Sequence, residues 1–352
     1  MKKLVLATAI AAASITAAHA APTVYGKVFL TLDTVDADLD RLSADRKTVE
    51  RTDSSTRTKL NSTTGRIGVK GSEPLTANTD VVYQLEYGVR VDDNASTTGH
   101  IVPRDTFIGL ANKQYGTVLA GRQTSVNNGI NFADVSAGAV DGGDNLLSAL
   151  DKPRVNNAFT YFSPSYNGLS FQGMYALDEN DDNDKVFDGY YEAAIAYKPA
   201  EAPFRAGIGW MQASDRIKAL RVSGDYKFTP KTTLGVLYQN TKLGEGFGGD
   251  EKENAYTASL RYQTETPWLV YGQVDYVDNA GGFKDGERQR YIVGGKYAFN
   301  KAATGHVYAS YRDEDRVAGQ TAFVGAGKQN LGAAGNAKYE AFGVGAGIDF
   351  KF

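Results

Sequence analysis

The chain alternates apolar residues with polar or small ones in many short stretches, and the alternation is clearest at its C-terminus. From Phe342 to Phe352 every even position is apolar, and every odd position is Gly, Asp or Lys. Successive side chains of a β-strand point to opposite faces, so this period suits a strand with lipid on one side and water on the other. The pattern predicts a membrane-spanning strand that ends at Phe352.

The same separation recurs along the chain. In the segment 220–228, for example, the charged residues all occupy odd positions and the large apolar residues all occupy even positions. A bacterial barrel with both ends on one side of the membrane needs an even number of strands. The sequence predicts an all-β fold, a 16-stranded antiparallel transmembrane β-barrel, with strands at 24–33, 64–73, 80–91, 101–112, 116–123, 154–163, 168–177, 189–198, 203–213, 217–228, 231–241, 254–264, 268–277, 289–299, 304–313 and 339–352.

The connections between these segments alternate in length. Short turns are predicted at 198–200, 229–231, 265–267 and 300–302, and longer polar loops lie between them. Barrels of this kind carry short turns on the periplasmic side and long loops outside the cell. Tyr and Phe crowd the ends of the strands, either as girdles at the membrane surfaces or through ordinary strand propensity.

Composition supports the barrel and excludes other classes. The chain has 39 Gly, 21 Tyr and 16 Phe against 9 Pro, and it has no Cys. A disulfide framework and a thiolate metal site are therefore impossible. After the first twenty residues no apolar run approaches the ~20 residues that a membrane helix needs.

The first twenty residues have the pattern of an export signal. Lys2 and Lys3 precede an apolar run, and Ala18-His19-Ala20 has small residues where a signal peptidase cuts. We expect residues 1–20 to be cleaved and residues 21–352 to form the barrel domain in the outer membrane. Removal of two lysines and no acidic residue changes the formal charge from −3 to −5, which gives no basis for nucleic-acid binding.

The inward face of such a barrel lines a wet passage, and its charges are the chemistry to examine. The longest connection, about 123–152, is rich in Gly and Asp, and five basic residues on strands 64–73, 101–112, 116–123 and 154–163 have the predicted inward parity. These are Asp134, Asp141, Asp144 and Asp151 on the connection and Arg66, Lys70, Arg104, Arg122 and Arg154 on the strands. Opposed charges would place a field across the pore. Alternatively, the arginines pair with nearby carboxylates and stiffen the connection.

One carboxylate has the opposite parity. Asp105 is predicted to face outward because its neighbour Arg104 is predicted to face inward. A carboxylate in contact with lipid is costly. We therefore expect a subunit interface to shelter Asp105.

Several short motifs follow one another along the chain: Val24-Tyr25-Gly26-Lys27, Gly65-Arg66-Ile67-Gly68-Val69-Lys70-Gly71, Tyr83-Gln84-Leu85-Glu86, Arg104-Asp105-Thr106-Phe107-Ile108-Gly109-Leu110, Tyr115-Gly116-Thr117-Val118-Leu119-Ala120-Gly121-Arg122-Gln123, Arg154-Val155-Asn156-Asn157-Ala158-Phe159-Thr160-Tyr161 and the terminal Phe352. In these motifs the chain resembles the general porins of Gram-negative bacteria, particularly the neisserial and related proteobacterial branch. The resemblance implies a homotrimer in which loop 3 folds into each lumen to form an eyelet.

The resemblance also implies which residues form the eyelet. Its basic side would fall on Lys27, Arg66, Arg104 and Arg154, with Arg122 as a neighbour. Its acidic side would fall on loop 3, where Asp141-Gly142-Gly143-Asp144 resembles the Gly-Gly-Asp tip, and Asp134 is a further candidate.

Other chemistry finds little support. After the signal only His100 and His306 remain, predicted at opposite ends of the barrel, so a convergent catalytic His is not expected. The acidic run 178–184 lacks the Gly and Glu of a calcium-binding EF-hand. No catalytic residue, metal site or cofactor is predicted.

The expected function is passive diffusion of small hydrophilic solutes and ions through a water-filled pore, with a weak preference for anions. Outer-membrane lipid and lipopolysaccharide are the expected surroundings. Two alternatives stay open: a substrate-specific channel, which would show a ladder of aromatic or basic residues down the lumen, and a surface adhesin or receptor acting through its loops.

Overall fold

The computed structural model of the protein describes residues 21–62, 64–92, 101–136, 151, 153–177, 189–213, 217–244, 249–318, 321–324, 327–330 and 335–352. Its strands are β1 (Thr23–Leu42), β2 (Val49–Ser62), β3 (Arg66–Thr76), β4 (Thr79–Val89), β5 (Ile101–Asn112), β6 (Gly116–Thr124), β7 (Arg154–Phe162), β8 (Leu169–Ala176), β9 (Tyr191–Tyr197), β10 (Phe204–Ala213), β11 (Ile217–Lys227), β12 (Thr232–Leu243), β13 (Lys252–Gln263), β14 (Trp268–Asp278), β15 (Glu287–Ala298), β16 (Ala303–Arg316), β17 (Thr321–Val324), β18 (Gly327–Asn330) and β19 (Ala337–Lys351).

The strands close into a barrel in which every pairing is antiparallel. Each of β3 to β15 pairs with the next strand in sequence, β16 pairs with β19, and β19 pairs with β1. The strands β2 and β3 lie end to end beside β1 and occupy one position in the wall. The prediction of a 16-stranded barrel is therefore confirmed, with β17 and β18 as a separate hairpin.

The first external connection differs from the prediction. The sequence was expected to form a loop between 33 and 64, but β1 continues to Leu42 and pairs with β2 as a hairpin, up to a final rung between Leu42 and Val49. The β1 arm keeps period two, but its outward positions are Asp36, Asp38 and Asp40, where a lipid-facing strand would carry apolar side chains, and its apolar residues lie on the inward positions. The hairpin stands above the apolar belt of the barrel, where water can solvate both faces.

The wall reverses the usual relation between polarity and burial. In β9, for example, Tyr191 and Ile195 are 42 % and 46 % exposed, whereas Glu192 between them is 3 % exposed. Exposed apolar side chains over a continuous surface fit contact with lipid, and buried polar side chains fit a packed inner wall. The alternation separates the two faces along each strand.

Aromatic rings form two belts on the outer face. Tyr238, Tyr256 and Tyr276 neighbour one another at one end of β12 to β14, with ring centroids 5.2 and 6.3 Å apart. At the other end, Tyr226 lies 4.9 Å from Phe228. Belts of this kind mark the two surfaces of a membrane.

The C-terminal residue closes the barrel. The backbone N–H of Gly26 donates to the Phe352 carbonyl at 2.9 Å, and the Phe352 N–H donates to the Gly26 carbonyl at 3.1 Å. The Phe352 ring lies over Gly26, where any Cβ would collide with it. Within the described parts of the chain, no helix has the length and apolarity needed to cross a membrane.

Candidate pore constriction and inner wall

The connection after β6 begins on the inner face of β9. A 3₁₀ turn (Val126–Ile130) opens this segment. The Glu192 carboxylate accepts hydrogen bonds from the Ser125 hydroxyl at 2.5 Å and from the N–H groups of Val126 and Asn127 at 2.9 and 2.7 Å. One carboxylate thus satisfies three donors of a turn in which most residues are buried.

The segment then follows the inner wall from β9 towards β15. The Phe132 N–H donates to the Ser223 hydroxyl of β11 at 3.1 Å, and the Val135 N–H donates to the Gln273 side-chain oxygen of β14 at 2.9 Å. The Lys296 ammonium of β15 donates to the Val135 carbonyl at 3.0 Å. We name residues 125–136 the wall segment. The prediction that the whole of loop 3 folds inward stays a prediction, because residues 137–150 lie outside the described residues.

Small residues make room for the wall segment. A Cβ at Gly207 of β10 would lie 2.6 Å from the Ile130 Cγ2 atom, and a Cβ at Gly209 would overlap the Asn127 side-chain oxygen. Glycine within a strand often marks such a close approach. The Lys198 ammonium adds a hydrogen bond to the Gly129 carbonyl at 2.8 Å. Burial, and secondarily the charge of Arg205, lowers the pKa of Lys198, which lies in the turn after β9.

One arginine of β11 joins both ends of the connection. Arg221 is 1 % exposed. Its guanidinium donates to the Asn127 carbonyl at 3.5 Å, to the Asp151 carboxylate at 3.1 Å and to the Gln239 side-chain oxygen at 2.8 Å. Sequence reasoning assigned no role to Glu192 or Arg221, although a charged residue on the inward parity of a strand is the signal that could have found them.

Three predicted wall cations lie on the opposite side of the barrel. Arg66 and Arg104 share the Glu86 carboxylate, with N–O distances of 3.6 and 2.7 Å. Glu86 also accepts a hydrogen bond from the Tyr25 hydroxyl at 3.0 Å. Lys27, directly across the ladder from Arg66, pairs with Asp349 at 3.2 Å. These three cations thus pair with carboxylates of the wall strands, and two of them share one acid. That the arginines stiffen the connection after β6 stays a prediction.

A β-bulge interrupts the alternation in β5. Leu85 faces Thr106 and Tyr87 faces Pro103, so Arg104 and Asp105 both stand opposite Glu86. The sequence parity had turned Asp105 towards lipid, sheltered by a subunit interface. Its carboxylate instead accepts hydrogen bonds from the Thr124 hydroxyl at 2.7 Å and from Arg154 at 3.3 Å, so no interface is needed to satisfy it.

The ladder corrects the orientation of Arg122. The odd positions of β6, which have the opposite parity to Arg122, face inward: Leu119 and Gln123 are only 3 % and 4 % exposed, and Gly121 lies between them. Arg122 therefore has the outward parity, opposite Thr106.

Arg122 donates to the Pro103 carbonyl at 3.1 Å and to the Asn156 side chain. Arg154 precedes the fully buried Val155 and pairs with the Asp105 carboxylate at 3.3 Å.

Of the three aspartates predicted for the acidic side of the constriction, the structure describes one. Asp134 lies in the wall segment, where its carboxylate accepts hydrogen bonds from the Ser136 N–H at 3.0 Å and the Ser136 hydroxyl at 2.8 Å. Asp141 and Asp144 lie outside the described residues. So does His100, whereas the inward-facing His306 packs 4.8 Å from the Phe29 ring. Within the described ranges no group of three or more His, Asp or Glu side chains could hold a metal ion.

The external end of the wall from β14 to β2 separates its charges between two faces, which sequence reasoning did not foresee. We define the inner rim as the inward-facing charges: the basic Arg41, Arg51, Arg57, Lys59, Arg288, Arg290, Arg312 and Arg316, and the acidic Asp33, Asp53, Asp275 and Glu314. We define the outer rim as the outward-facing charges on the intervening rungs: the acidic Asp36, Asp38, Asp40, Asp278, Glu287, Asp313, Asp315 and Glu340, and the basic Lys338. The inner rim has a basic excess of four, and the outer rim has an acidic excess of seven.

Comparison with known proteins finds similarity to bacterial outer-membrane channels. The model of the Gram-negative porin family matches residues 6–318. An outer membrane porin protein of Bordetella pertussis is 26 % identical over 293 residues, covering 70 % of this chain and 76 % of that protein. The major outer membrane protein P.IB of Neisseria lactamica is 26 % identical over 347 residues, covering 91 % and 96 %.

Solved structures show the same fold. An anion-selective porin from Comamonas acidovorans superposes with a TM-score of 0.65 at 20 % identity, covering 94 % of this chain and 99 % of that one. OmpT of Vibrio cholerae superposes with a TM-score of 0.66 at 16 % identity, covering 94 % and 97 %.

Proposed function

Because this chain belongs to the Gram-negative porin family and is an outer-membrane diffusion channel, we propose that its constriction lies between the basic wall and the connection after β6. Lys27, Arg66 and Arg104 form the basic side. The supporting observation is that Arg66 and Arg104 share one carboxylate, Glu86, so the group keeps a positive charge. The wall segment is held on the far side of the barrel, which leaves the passage beside these cations.

The proposed mechanism uses no covalent step, no catalytic residue and no cofactor. Solutes would be selected by the width of the constriction and by the charges around it. We propose that the acidic side is carried by Asp134 together with Asp141 and Asp144 of the connection. Small hydrophilic solutes with a dipole would then orient between the two sides. Arg122 is left out because of its outward parity, and Arg154 lies at the edge through its bond to Asp105.

A weak preference for anions is the proposed selectivity. The test is the reversal potential of the purified protein in a planar bilayer under a potassium chloride gradient. The native pore should favour chloride, and Arg66→Gln/Arg104→Gln should lower the ratio of anion to cation permeability by about two- to five-fold, since charged groups near a narrow pore dominate its selectivity. Arg122→Gln is the matched control and should leave the ratio unchanged. A native preference for cations, or an unchanged ratio in the double variant, would contradict the assignment.

We further propose that the barrel assembles as a homotrimer and that its apolar outer face contacts lipid. The acidic outer rim would face the lipopolysaccharide headgroups. Chemical cross-linking in detergent would test the trimer, and a monomer alone would contradict it. A substrate-specific channel would show saturable flux for one solute, and an adhesin would show no conductance in the bilayer.

Residues 1–20 are proposed to be removed on export. Mass spectrometry of the protein isolated from outer membranes should give a mature N-terminus at Ala21. An intact N-terminal Met1 would contradict this proposal.

A further inference from the structure

We propose that the inner rim captures small anionic solutes at the external mouth of the pore, before they reach the constriction. Carboxylates and phosphates are the ligand classes that match its guanidinium groups. The inference rests on the proposed diffusion pore, and it concerns a set of residues that includes none of the proposed constriction cations.

Cations on the inner rim outnumber the acids that pair with them. On β16, Arg312 and Arg316 share the fully buried Glu314, with N–O distances of 2.5 and 2.8 Å from their Nε atoms. On the hairpin, Arg41 and Arg51 share Asp53 at 3.3 and 2.5 Å. Each group of two guanidiniums and one carboxylate keeps one positive charge. Every guanidinium has five N–H donors, so donors remain for a solute anion.

Two cations of the inner rim are accessible to an ion from outside. Arg57 and Lys59 on the inner face of β2 are exposed, and no ion pair is found for either one among the described residues. The acid across the ladder from Lys59, Asp33, is already occupied by hydrogen bonds from Tyr308 at 2.6 Å and Asn61 at 2.5 Å. These two cations can therefore meet an ion that enters from outside. By contrast, the Arg290 side chain is 4 % exposed, and its guanidinium forms an ion pair with the Asp275 carboxylate at 2.8 Å.

The electric field at the external mouth follows from the separation of charge between the two faces of the strands. The acidic charges at this height, such as Asp36 and Asp38, stand on the opposite side of the same strands. Exposed charges are screened within ~10 Å at 0.1 M salt. An ion inside the mouth therefore responds first to the inner rim. A mouth lined by one sign of charge and bounded by low-dielectric walls raises the local concentration of the opposite ion.

The test compares two double variants of the full-length protein in planar bilayers. Arg57→Gln/Lys59→Gln removes two charges from the inner rim, and Asp36→Asn/Asp38→Asn removes two from the outer rim on the adjacent strand. All four side chains are largely exposed, so both variants should fold. The readout is the ratio of anion to cation permeability in potassium chloride at about 0.1 M and about 1 M, where the Debye length is ~10 and ~3 Å respectively.

The inner variant should lose about two-fold or more of the ratio at low salt and match the native protein at high salt, as expected for a screened field. The outer variant should match the native protein at both concentrations. An unchanged ratio in the inner variant at low salt, or an equal shift in the outer variant, would overturn the inference. If Arg66→Gln/Arg104→Gln alone moves the ratio, selectivity belongs to the constriction, and the proposed function survives without the capture step. A native protein that does not conduct would contradict the proposed function itself.

Discussion

Two sides of the inner wall use charge differently. On β9 to β15, charged side chains such as Glu192 and Arg221 are almost completely buried and bind the wall segment. On β3 to β5, Arg66 and Arg104 remain 32 % and 18 % exposed and share one acid. Buried charges are strongly destabilising when a partner is lost, so the first set holds structure. The second set keeps excess charge near water, where it can act on a solute.

The largest expected effect lies on the structural side. Glu192→Gln replaces one oxygen of this acceptor by an NH2 group, so the amide oxygen can keep the bonds from Ser125 and Asn127, whereas the buried Val126 N–H loses its acceptor. An unsatisfied buried N–H costs ~1–3 kcal/mol and the two remaining bonds lose the help of the negative charge, so the folded barrel should lose about 2–5 kcal/mol. Urea unfolding in lipid vesicles measures the loss, and single-channel recordings should become noisier.

The control for this variant is Glu340→Gln, which makes the same change of carboxylate to amide at a residue that forms an exposed ion pair with Lys338. Exposed pairs are worth ~0–1 kcal/mol. Equal losses in the two variants would show that Glu192 does not anchor the wall segment.

A smaller effect is expected from filling the space that the wall segment occupies. Gly209→Ala would place a methyl group onto the Asn127 side chain, and overpacking of this kind costs ~1–3 kcal/mol. Gly272→Ala on the same kind of strand is the matched control, because a Cβ there meets only the Ile292 carbonyl at 3.7 Å. The urea midpoint should fall for Gly209→Ala and stay near the native value for Gly272→Ala. A native-like midpoint for Gly209→Ala would mean that the wall segment can move away from the new methyl group without loss of stability.

On the side that faces the passage, the expected effect is on selectivity. Glu86→Gln removes the acid shared by Arg66 and Arg104, so the preference for anions should rise by about 1.5- to two-fold, since an ion near the constriction responds to the local charge. Reversal potentials under a salt gradient measure this change. A shift towards cations would show that Glu86 acts by positioning the arginines and that its charge has little direct influence.

The smallest effect is expected in the external hairpin. Thr56→Val removes the hydrogen bond from the Thr56 hydroxyl to the Asp36 carboxylate, 2.7 Å long and exposed to water. A typical hydrogen bond contributes ~0.5–1.5 kcal/mol, and exposure puts this one at the lower end. The urea midpoint should hardly change. A loss as large as that of Glu192→Gln would place the hairpin within the cooperative unit of the barrel.

The sequence was sufficient for the strands because a barrel wall imposes period two on every residue between lipid and water. It was insufficient where that period breaks. The bulge opposite Glu86 lets Arg104 face inward while Ile108, 59 % exposed, faces outward, and counting from one strand end to the other cannot detect the extra residue. Arg122 is a different case, because the pairing of β5 with β6 has no register shift and Arg122 shares its parity with Val118, 47 % exposed.

The anchors were missed for a different reason. Glu192 and Arg221 have the parity of wall residues, but each also binds backbone groups of a segment more than 60 positions away in sequence. Period two reports the face of a strand and carries no information on what packs against it. The hairpin of β1 and β2 was missed because its outward positions on β1 carry aspartates where a membrane-spanning strand would carry apolar side chains.

The central claim is that the wall segment covers the inner face of β9 to β15 and leaves the passage along β3 to β5. The chain has no Cys, so single cysteines can be labelled cleanly. Gln84 lies half-buried on the inner face of β4, and Ser259 is 3 % exposed on the inner face of β13. With Gln84→Cys and Ser259→Cys in planar bilayers, a small anionic thiol reagent should lower the current through the first variant and leave the second unchanged. Fast modification at position 259 with no effect at position 84 would contradict the account.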